Sequence, residues 1–148
     1  MKVNVEFVDS QTEEAFHMKI RYLDKNMKSI IHLLENKDRA IFGIKEGTMF
    51  RIRLDDVFYF EVIDKCIFMY VKDDVYKIKD KLYQIEKRYA ALGFVRASKS
   101  TIVSIDKVKI IYPMFKGRFE VGLNNGKRIG ISRSYITEFK QQIGLNDI

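Results

Sequence analysis

The sequence is short of the residues that cross-link secreted proteins and bind metals. Its 148 residues include one cysteine, Cys66, one proline, two histidines and no tryptophan. A single cysteine excludes an internal disulfide, and with the two separated histidines, His17 and His32, it forms no zinc-type cluster. We therefore expect no metal and no other cofactor, and a role for Cys66 as a small buried hydrophobe rather than a reactive thiol.

Targeting and catalytic motifs are missing as well. No apolar run is long enough to cross a bilayer, and residues 1–6 lack the apolar stretch of a signal peptide. No Gly-x-Ser-x-Gly, Walker A or dinucleotide-binding motif occurs, and the acidic pairs at 55–56 and 73–74 are typical of turns. We expect a cytoplasmic protein with no enzymatic activity and no small-molecule substrate.

Positive charge, in contrast, is concentrated in one segment. Residues 94–134 contain nine lysines and arginines against two acidic residues, while the whole chain contains 27 and 20 and has a net charge of +7. The rest of the chain is therefore neutral, with 18 residues of each sign. This distribution is typical of a protein that meets a polyanion, although charge alone is equally compatible with a solvated basic surface.

Alternation of apolar and polar residues predicts a mainly β (α+β) protein with short helices. With 47% hydrophobic and 32% charged residues, the composition is that of a folded protein. Strands are predicted at residues 2–8, 16–22, 39–45, 48–54, 57–63, 67–72 and 75–78. Glu46-Gly47 indicates one hairpin turn, and Asn125-Gly126 predicts a two-residue type I′ turn in another.

Helical spacing predicts three short helices. The first is capped by Asp24, carries an apolar face of Met27, Ile30, Ile31 and Leu34, and ends near residue 36. The second begins at Asp80 and stops at Gly93, and the third begins at Tyr135 and stops at Gly144. The first helix can pack on its own chain or be shared between chains.

Three motifs in order resemble the LytTR DNA-binding domain of bacterial transcription regulators. Residues 94–104, FVRASKSTIVS, are similar to the family's Phe-x-Arg-x-His-Arg/Lys-Ser-x-Ile/Leu-Val-Asn. Residues 118–135, RFEVGLNNGKRIGISRSY, resemble its strand, Asn-Gly, strand and Ser-Arg-x-Tyr, and residues 54–61, LDDVFYFE, resemble its first strand. The resemblance covers residues 41–143 and implies a multi-stranded β domain that contacts DNA through loops between strands.

The resemblance also implies which residues meet DNA. The family's base-contacting positions correspond to Lys99 and Arg133, and a third falls on Lys65, Cys66 or Ile67, of which Lys65 is the best polar donor. The DNA-binding residues we expect are Lys65, Arg96, Ser98, Lys99, Ser100, Lys116, Lys127, Ser132 and Arg133. Arg and Lys can bind guanine edges or phosphates, and Ser hydroxyls can bind either.

Departures from the family pattern leave alternatives open. Ser98 stands where the family usually has His, and Ser104 where it usually has Asn, so base reading at position 98 is in question. Arg96 can contact phosphate or brace its loop instead of reading a base. The alternative function is a protein-interaction module with the same fold whose basic face binds an acidic partner.

The domain organisation follows from the resemblance. We expect residues 1–38 to form an N-terminal strand and helix extension and residues 39–148 to form the LytTR-type domain of a stand-alone regulator without a receiver domain. The expected partners are double-stranded DNA, a second copy of the chain at least on DNA, and a regulatory membrane protein.

Overall fold

A computed structural model describes residues 2–12, 15–35 and 39–145 of the chain. These residues contain three α-helices and ten β-strands, joined by short 3-10 turns. In chain order they are α1 (Lys25–Glu35), β1 (Ala40–Lys45), β2 (Thr48–Arg53), β3 (Tyr59–Ile63), β4 (Cys66–Tyr70), β5 (Val75–Ile78), α2 (Leu82–Tyr89), β6 (Phe94–Ser98), β7 (Thr101–Ser104), β8 (Val108–Pro113), β9 (Phe119–Leu123), β10 (Arg128–Gly130) and α3 (Ile136–Ile143).

The strands form two antiparallel sheets. The larger has the order β2-β1-β5-β4-β3-β7-β6, and the smaller has the order β10-β9-β8. Helix α2 contributes Leu82 and Ile85 to a core on one face of the larger sheet. The smaller sheet and α3 contribute Phe119 and Phe139 to a second core on the opposite face. Strands β3, β7 and β6 supply side chains to both cores, and the predicted mainly β fold with short helices is confirmed.

The two strands predicted in the N-terminal extension are absent. Residues 2–8 and 16–22 are irregular, and their backbones are not part of either sheet. A strand requires a partner for its backbone groups, and alternation alone does not supply one. The first helix does form: the Asp24 carboxylate accepts a hydrogen bond from the Met27 amide at 2.8 Å, as an N-cap does. Its expected end near residue 36 lies outside the described residues.

The apolar face of α1 is only partly covered. The helix lies against the 3-10 turn Ala90–Leu92. Met27 and Ile31 are half-buried, whereas Ile30 and Leu34 are exposed. Helix α1 is therefore docked on the β body with part of its apolar face exposed. No helix in the described ranges is long and apolar enough to cross a membrane.

The two predicted hairpin turns have different geometries, and the second is not of the predicted type. Glu46 and Gly47 both have positive φ, 50° and 75°, which makes this two-residue turn type I′. At Asn125-Gly126 the prediction of a type I′ turn is wrong, because only Gly126 has a positive φ, 86°. The Gly126 amide donates to Leu123 O, and Asn125 Oδ1 accepts from the Lys127 amide. These bonds close a three-residue loop ending in a left-handed glycine, so Asn124 belongs to the loop rather than to β9.

Gly43 of β1 lies directly against the side chain of Tyr76 on β5. A Cβ atom here would overlap Tyr76 Cβ and lie 2.9 Å from Tyr76 Cγ. Tyr76 belongs to the first core and also contacts the Phe50 ring, so it has little room to move. Glycine thus permits the edge hairpin β1–β2 to pack on the sheet.

We predict that Gly43→Ala lowers the free energy of unfolding by about 1–3 kcal/mol, the usual range for overpacking a core. Gly130→Ala is the matched control, because its Cβ would meet only Glu120 Cγ at 4.0 Å. Urea denaturation of both variants measures the difference. Equal stability of the two variants would contradict the packing argument.

Candidate nucleic-acid interface

The turn between β3 and β4 presents Lys65 at its tip. Ile63 pairs with Cys66, so the turn contains only Asp64 and Lys65, with φ of 49° and 65°. Lys65 is exposed, Cys66 is half-buried, and Ile67 is in the first core. Of the three positions open for this contact, Lys65 is therefore the one whose side chain reaches solvent at the turn.

The turn between β6 and β7 presents Lys99 and Ser100, both exposed. The Ser100 amide donates to Ser98 Oγ at 3.2 Å, and the two serine hydroxyls lie 3.3 Å apart. Ser98 is half-buried and serves to close the turn. This local bond is common for serine beside a turn, and it leaves Lys99 as the longest side chain at the tip.

Backbone hydrogen bonds hold these two turns side by side. The Val62 amide donates to Ser100 O at 2.8 Å, and Glu61 of β3 pairs with Thr101 of β7. Because β3 and β7 are neighbours in the larger sheet, the turns lie about 10 Å apart, or two strand spacings. Lys65 and Lys99 therefore project from the same end of the sheet.

The segment after β10 reaches the same end. The Ser132 amide donates to Ala97 O at 2.8 Å, which joins this segment to β6 just before the Lys99 turn. Ser132 is half-buried, and Arg133, the first residue of a 3-10 turn, is exposed. Lys65, Lys99 and Arg133, which are far apart in sequence, are thus brought to one end of the molecule.

Arg96 is engaged inside the protein. Its Nε donates to Glu86 of α2 at 2.8 Å, and its NH1 group donates to Lys99 O at 2.7 Å. The side chain is only 11% exposed. This geometry matches the bracing alternative: Arg96 joins α2 to the turn that presents Lys99. A DNA contact by Arg96 stays a prediction.

The loop between β8 and β9 carries Lys116 to this end. Pro113 and Phe119 pair at the loop's base, and the Ile131 amide donates to Phe119 O next to Ser132. Lys116 has φ of 61°, is exposed, and lies over the Phe115 ring at 5.8 Å. Phe115 is 82% exposed and did not enter the predicted site. An exposed aromatic ring beside a cation can stack on a nucleic-acid base. The sequence signal that could have identified Phe115 is its place in the apolar pair Met114-Phe115, directly after the proline of the chain.

Lys127 lies at the opposite end. It follows the β9–β10 loop, where the Asn124 amide donates to Lys107 O, and its Nζ lies 5.9 Å from the Tyr59 ring centroid. Tyr59 is at the start of β3, whereas Lys65 follows its end. Roughly 15 Å of strand separates the two ends. The structure therefore does not bring Lys127 together with Lys99, and a DNA contact by Lys127 stays a prediction.

Aromatic rings accompany the cations at this opposite end. Tyr59 and Tyr70 stack with ring centroids 4.2 Å apart, and Lys107 Nζ lies 5.0 Å from the Phe58 centroid. Burial raises the pKa of Tyr59 to about 12, and burial also raises the pKa of Tyr70. Both phenols therefore stay neutral at physiological pH. These cations are placed against aromatic faces in a cation–π arrangement.

Counting charges along the sequence missed how the cations are distributed in space. Arg128 is held by Glu120 at 2.8 Å and stacks on Tyr112 at 3.6 Å, so it is occupied within the smaller sheet. A cleft of about 780 Å³ between α1 and α2 gathers further cations outside residues 94–134. Its basic lining residues are Lys25, Lys28, Lys87 and Arg88. No group of three or more potential metal-binding side chains occurs in the residues that the structure describes.

Comparisons with known proteins agree in the family they indicate. The model of the LytTr DNA-binding domain family matches residues 47–144. The sensory transduction protein LytT of Enterococcus faecalis is 31% identical over 110 residues, which are 74% of this chain. They are 46% of LytT, so the chain spans less than half of that relative. An uncharacterized HTH-type transcriptional regulator of Staphylococcus aureus is 25% identical over 147 residues, 98% of this chain and 99% of the relative.

A solved structure supports the fold. It is a LytTr DNA-binding domain from Bacillus cereus, with a TM-score of 0.68 and 24% identity. The match covers 72% of this chain and 97% of that domain. At this identity the similarity concerns the architecture of the two sheets and not the roles of single residues.

We predict that Arg96→Ala lowers the free energy of unfolding by about 1–3 kcal/mol, because it removes two charge-assisted hydrogen bonds from a mostly buried side chain. Lys99→Ala, at the exposed tip of the same turn, should change stability by no more than about 0.5 kcal/mol. Thermal and urea unfolding compare the two. An Arg96→Ala variant as stable as the parent would show that the arginine does not brace the turn.

Proposed function

Because the chain belongs to the LytTR family of DNA-binding domains, we propose that it is a sequence-specific transcriptional regulator that reads double-stranded DNA with one end of its larger sheet. The observation that carries this proposal is the convergence of three separate segments. The β3–β4 turn, the β6–β7 turn and the segment after β10 are joined by the Val62–Ser100 and Ser132–Ala97 hydrogen bonds. Their exposed tips are Lys65, Lys99 and Arg133.

The chemistry of these tips suits base and phosphate contacts. Arg133 can donate two hydrogen bonds to the O6 and N7 acceptors of guanine, and Lys99 can reach the same atoms. A separation of about 10 Å between the two turns compares with a major groove roughly 12 Å wide. Lys65 supplies the third contact, and a rigid sheet keeps the three in register.

Neighbouring groups would hold the duplex through its phosphates. Lys116 and Ser100 are exposed at the same end, and Ser98 and Ser132 support the turns beside them. Phosphate contacts fix orientation without reading sequence. We assign no base contact to Arg96, which is only 11% exposed and donates to Glu86 and to Lys99 O, and none to Lys127 at the other end.

Further features of the proposal rest on the family resemblance. Residues 39–148 would form the DNA-binding domain of a cytoplasmic, non-enzymatic regulator, and residues 1–38 an extension that serves regulation or assembly. Family members commonly bind paired repeats as dimers, and we propose a homodimer on DNA. A membrane protein that restrains the regulator is a candidate partner of the extension. The family match supports DNA over the acidic-protein partner that we considered from the sequence.

We predict that binding to a cognate duplex depends strongly on salt. About six phosphate contacts imply a slope of log Kobs against log salt near −5. Fluorescence anisotropy titrations at salt concentrations between about 50 and 200 mM measure this slope. A slope shallower than about −2 would contradict binding through several cations.

We further predict that Lys99→Ala and Arg133→Ala each weaken cognate binding by about 1–3 kcal/mol and reduce the preference over random DNA. Lys116→Ala should weaken cognate and random DNA equally, because a phosphate contact carries no sequence information. Lys127→Ala is the charge-matched control at the opposite end and should change neither affinity. If Lys127→Ala selectively weakened cognate binding and Lys99→Ala did not, the DNA-reading surface would lie at the Lys127 end, which would contradict the proposal.

A further inference from the structure

The loop between β8 and β9 projects from the end of the smaller sheet as a closed turn. The Met114 amide donates to Arg118 O at 2.7 Å, which closes the base of the loop. Lys116 and Gly117 at its tip both have positive φ, 61° and 74°. A Cβ atom on Gly117 would meet nothing within 4 Å, so the tip stands clear of the protein body.

Phe115 lies in this loop and is the most exposed large hydrophobic side chain of residues 39–145, at 82%. The two rings that flank the loop in sequence are covered by the protein. Phe119 is 1% exposed in the second core, and Arg128 stacks on Tyr112 at 3.6 Å. Single exposed apolar side chains are common, and it is the surroundings of Phe115 that identify a ligand.

These surroundings are cationic. Lys116 and Arg118 are both exposed, and Lys116 Nζ lies 5.8 Å from the Phe115 ring centroid. Residues 114–118 include no acidic side chain, and Met114 is 47% exposed beside the ring. A ligand that suits an apolar tip among cations has anionic groups outside and flat apolar faces inside, as duplex DNA does. The centre of a protein–protein interface, in contrast, is poor in lysine.

The loop also lies next to the segment that carries Arg133. The Ile131 amide donates to Phe119 O at 3.1 Å, and the smaller sheet has the order β10-β9-β8. Two strand spacings, about 10 Å, separate the far strand of the loop from the strand that leads to Arg133. This distance equals the rise of roughly three base pairs of duplex DNA. A duplex held by Arg133 therefore passes within reach of Phe115.

We propose that Phe115 is an apolar wedge, which inserts between two base pairs of the bound duplex and selects a deformable step near the bases that Arg133 and Lys99 read. The inference rests on the proposed DNA binding and adds to it a residue that selects sequence without a hydrogen bond. Pyrimidine–purine steps (TA, CA and TG) are easily unstacked, so the wedge favours them. Lys116 and Arg118 bind phosphates beside the step and hold the ring in place.

Selection from a randomised duplex library tests the wedge without a known operator. The parent protein, Phe115→Ala and Phe42→Ala are each used to enrich sequences. Phe42 is the matched control, because its ring is 55% exposed on β1, three strands from β3. We expect the parent and Phe42→Ala to enrich guanines read by Arg133 and Lys99, with a pyrimidine–purine step at a fixed distance from them. Phe115→Ala should enrich the same guanines without the step.

The outcomes of this selection separate the wedge from DNA reading itself. Enrichment of the same step by Phe115→Ala, or the lack of any such step in the sites of the parent, would overturn the wedge alone. A parent protein that enriches no sequence would overturn the proposed DNA reading as well. Thermal unfolding checks that Phe115→Ala is folded, which we expect because the ring is 82% exposed.

Affinity measurements quantify the coupling between the ring and the step. One enriched duplex is compared with a copy in which the step is replaced by AA, the stiff step of A-tracts. The replacement should weaken binding by the parent about tenfold and binding by Phe115→Ala less than about twofold. Equal losses for the two proteins would contradict insertion at that step.

Energy transfer between dyes at the two ends of the duplex measures the kink that a wedge produces. Inserted apolar side chains kink DNA by at least about 20°, so the parent should bring the ends closer. Phe115→Leu retains an apolar wedge and should keep this change, whereas saturating Phe115→Ala should lose it. An equal change with Phe115→Ala would show that the duplex is deformed without the ring and would overturn the proposal.

Discussion

The antiparallel register between β3 and β7 is the constraint on which the proposed interface depends. It sets Glu61 beside Thr101 and gives the Val62–Ser100 hydrogen bond, so the two turns are held at one end of the sheet. The register is itself fixed by burial, because Phe60 and Ile102 enter one core while Tyr59 and Val103 enter the other. A slip by one residue would exchange these sets, at a cost of several buried side chains worth about 1.5–3 kcal/mol each.

The same constraint explains why some of the cations are structural and others are presented. Arg96 stands on β6 next to β7, where Glu86 of α2 and the Lys99 carbonyl are both within hydrogen-bond distance. Arg128 stands on β10 opposite Glu120 and over Tyr112. Residues in turns have no such neighbours on the sheet surface, which leaves Lys65, Lys99 and Arg133 exposed. Position in the fold, rather than charge, thus divides the basic segment into bracing and presented groups.

Sequence patterns predicted those features that depend on local chemistry. The hairpin at Glu46-Gly47, the Asp24 cap and the glycine stops after α2 and α3 were found because turns and caps depend on a few adjacent residues. The strands at residues 2–8 and 16–22 were wrong because alternation does not show whether a partner edge exists within the chain. The opposite placement of Lys127 was also beyond the sequence, since it depends on how the smaller sheet is oriented on the larger one. The family motifs gave the candidate contacts, and these still stand as predictions.

Lysine footprinting by acetylation and mass spectrometry, with and without a cognate duplex, tests the central claim most directly. All lysines are measured in one sample, so the two ends of the molecule serve as each other's control. If one end of the larger sheet meets DNA, Lys65, Lys99 and Lys116 lose reactivity in the complex while Lys107 and Lys127 keep it. Protection of Lys107 and Lys127, with Lys65 and Lys99 unchanged, would contradict the account.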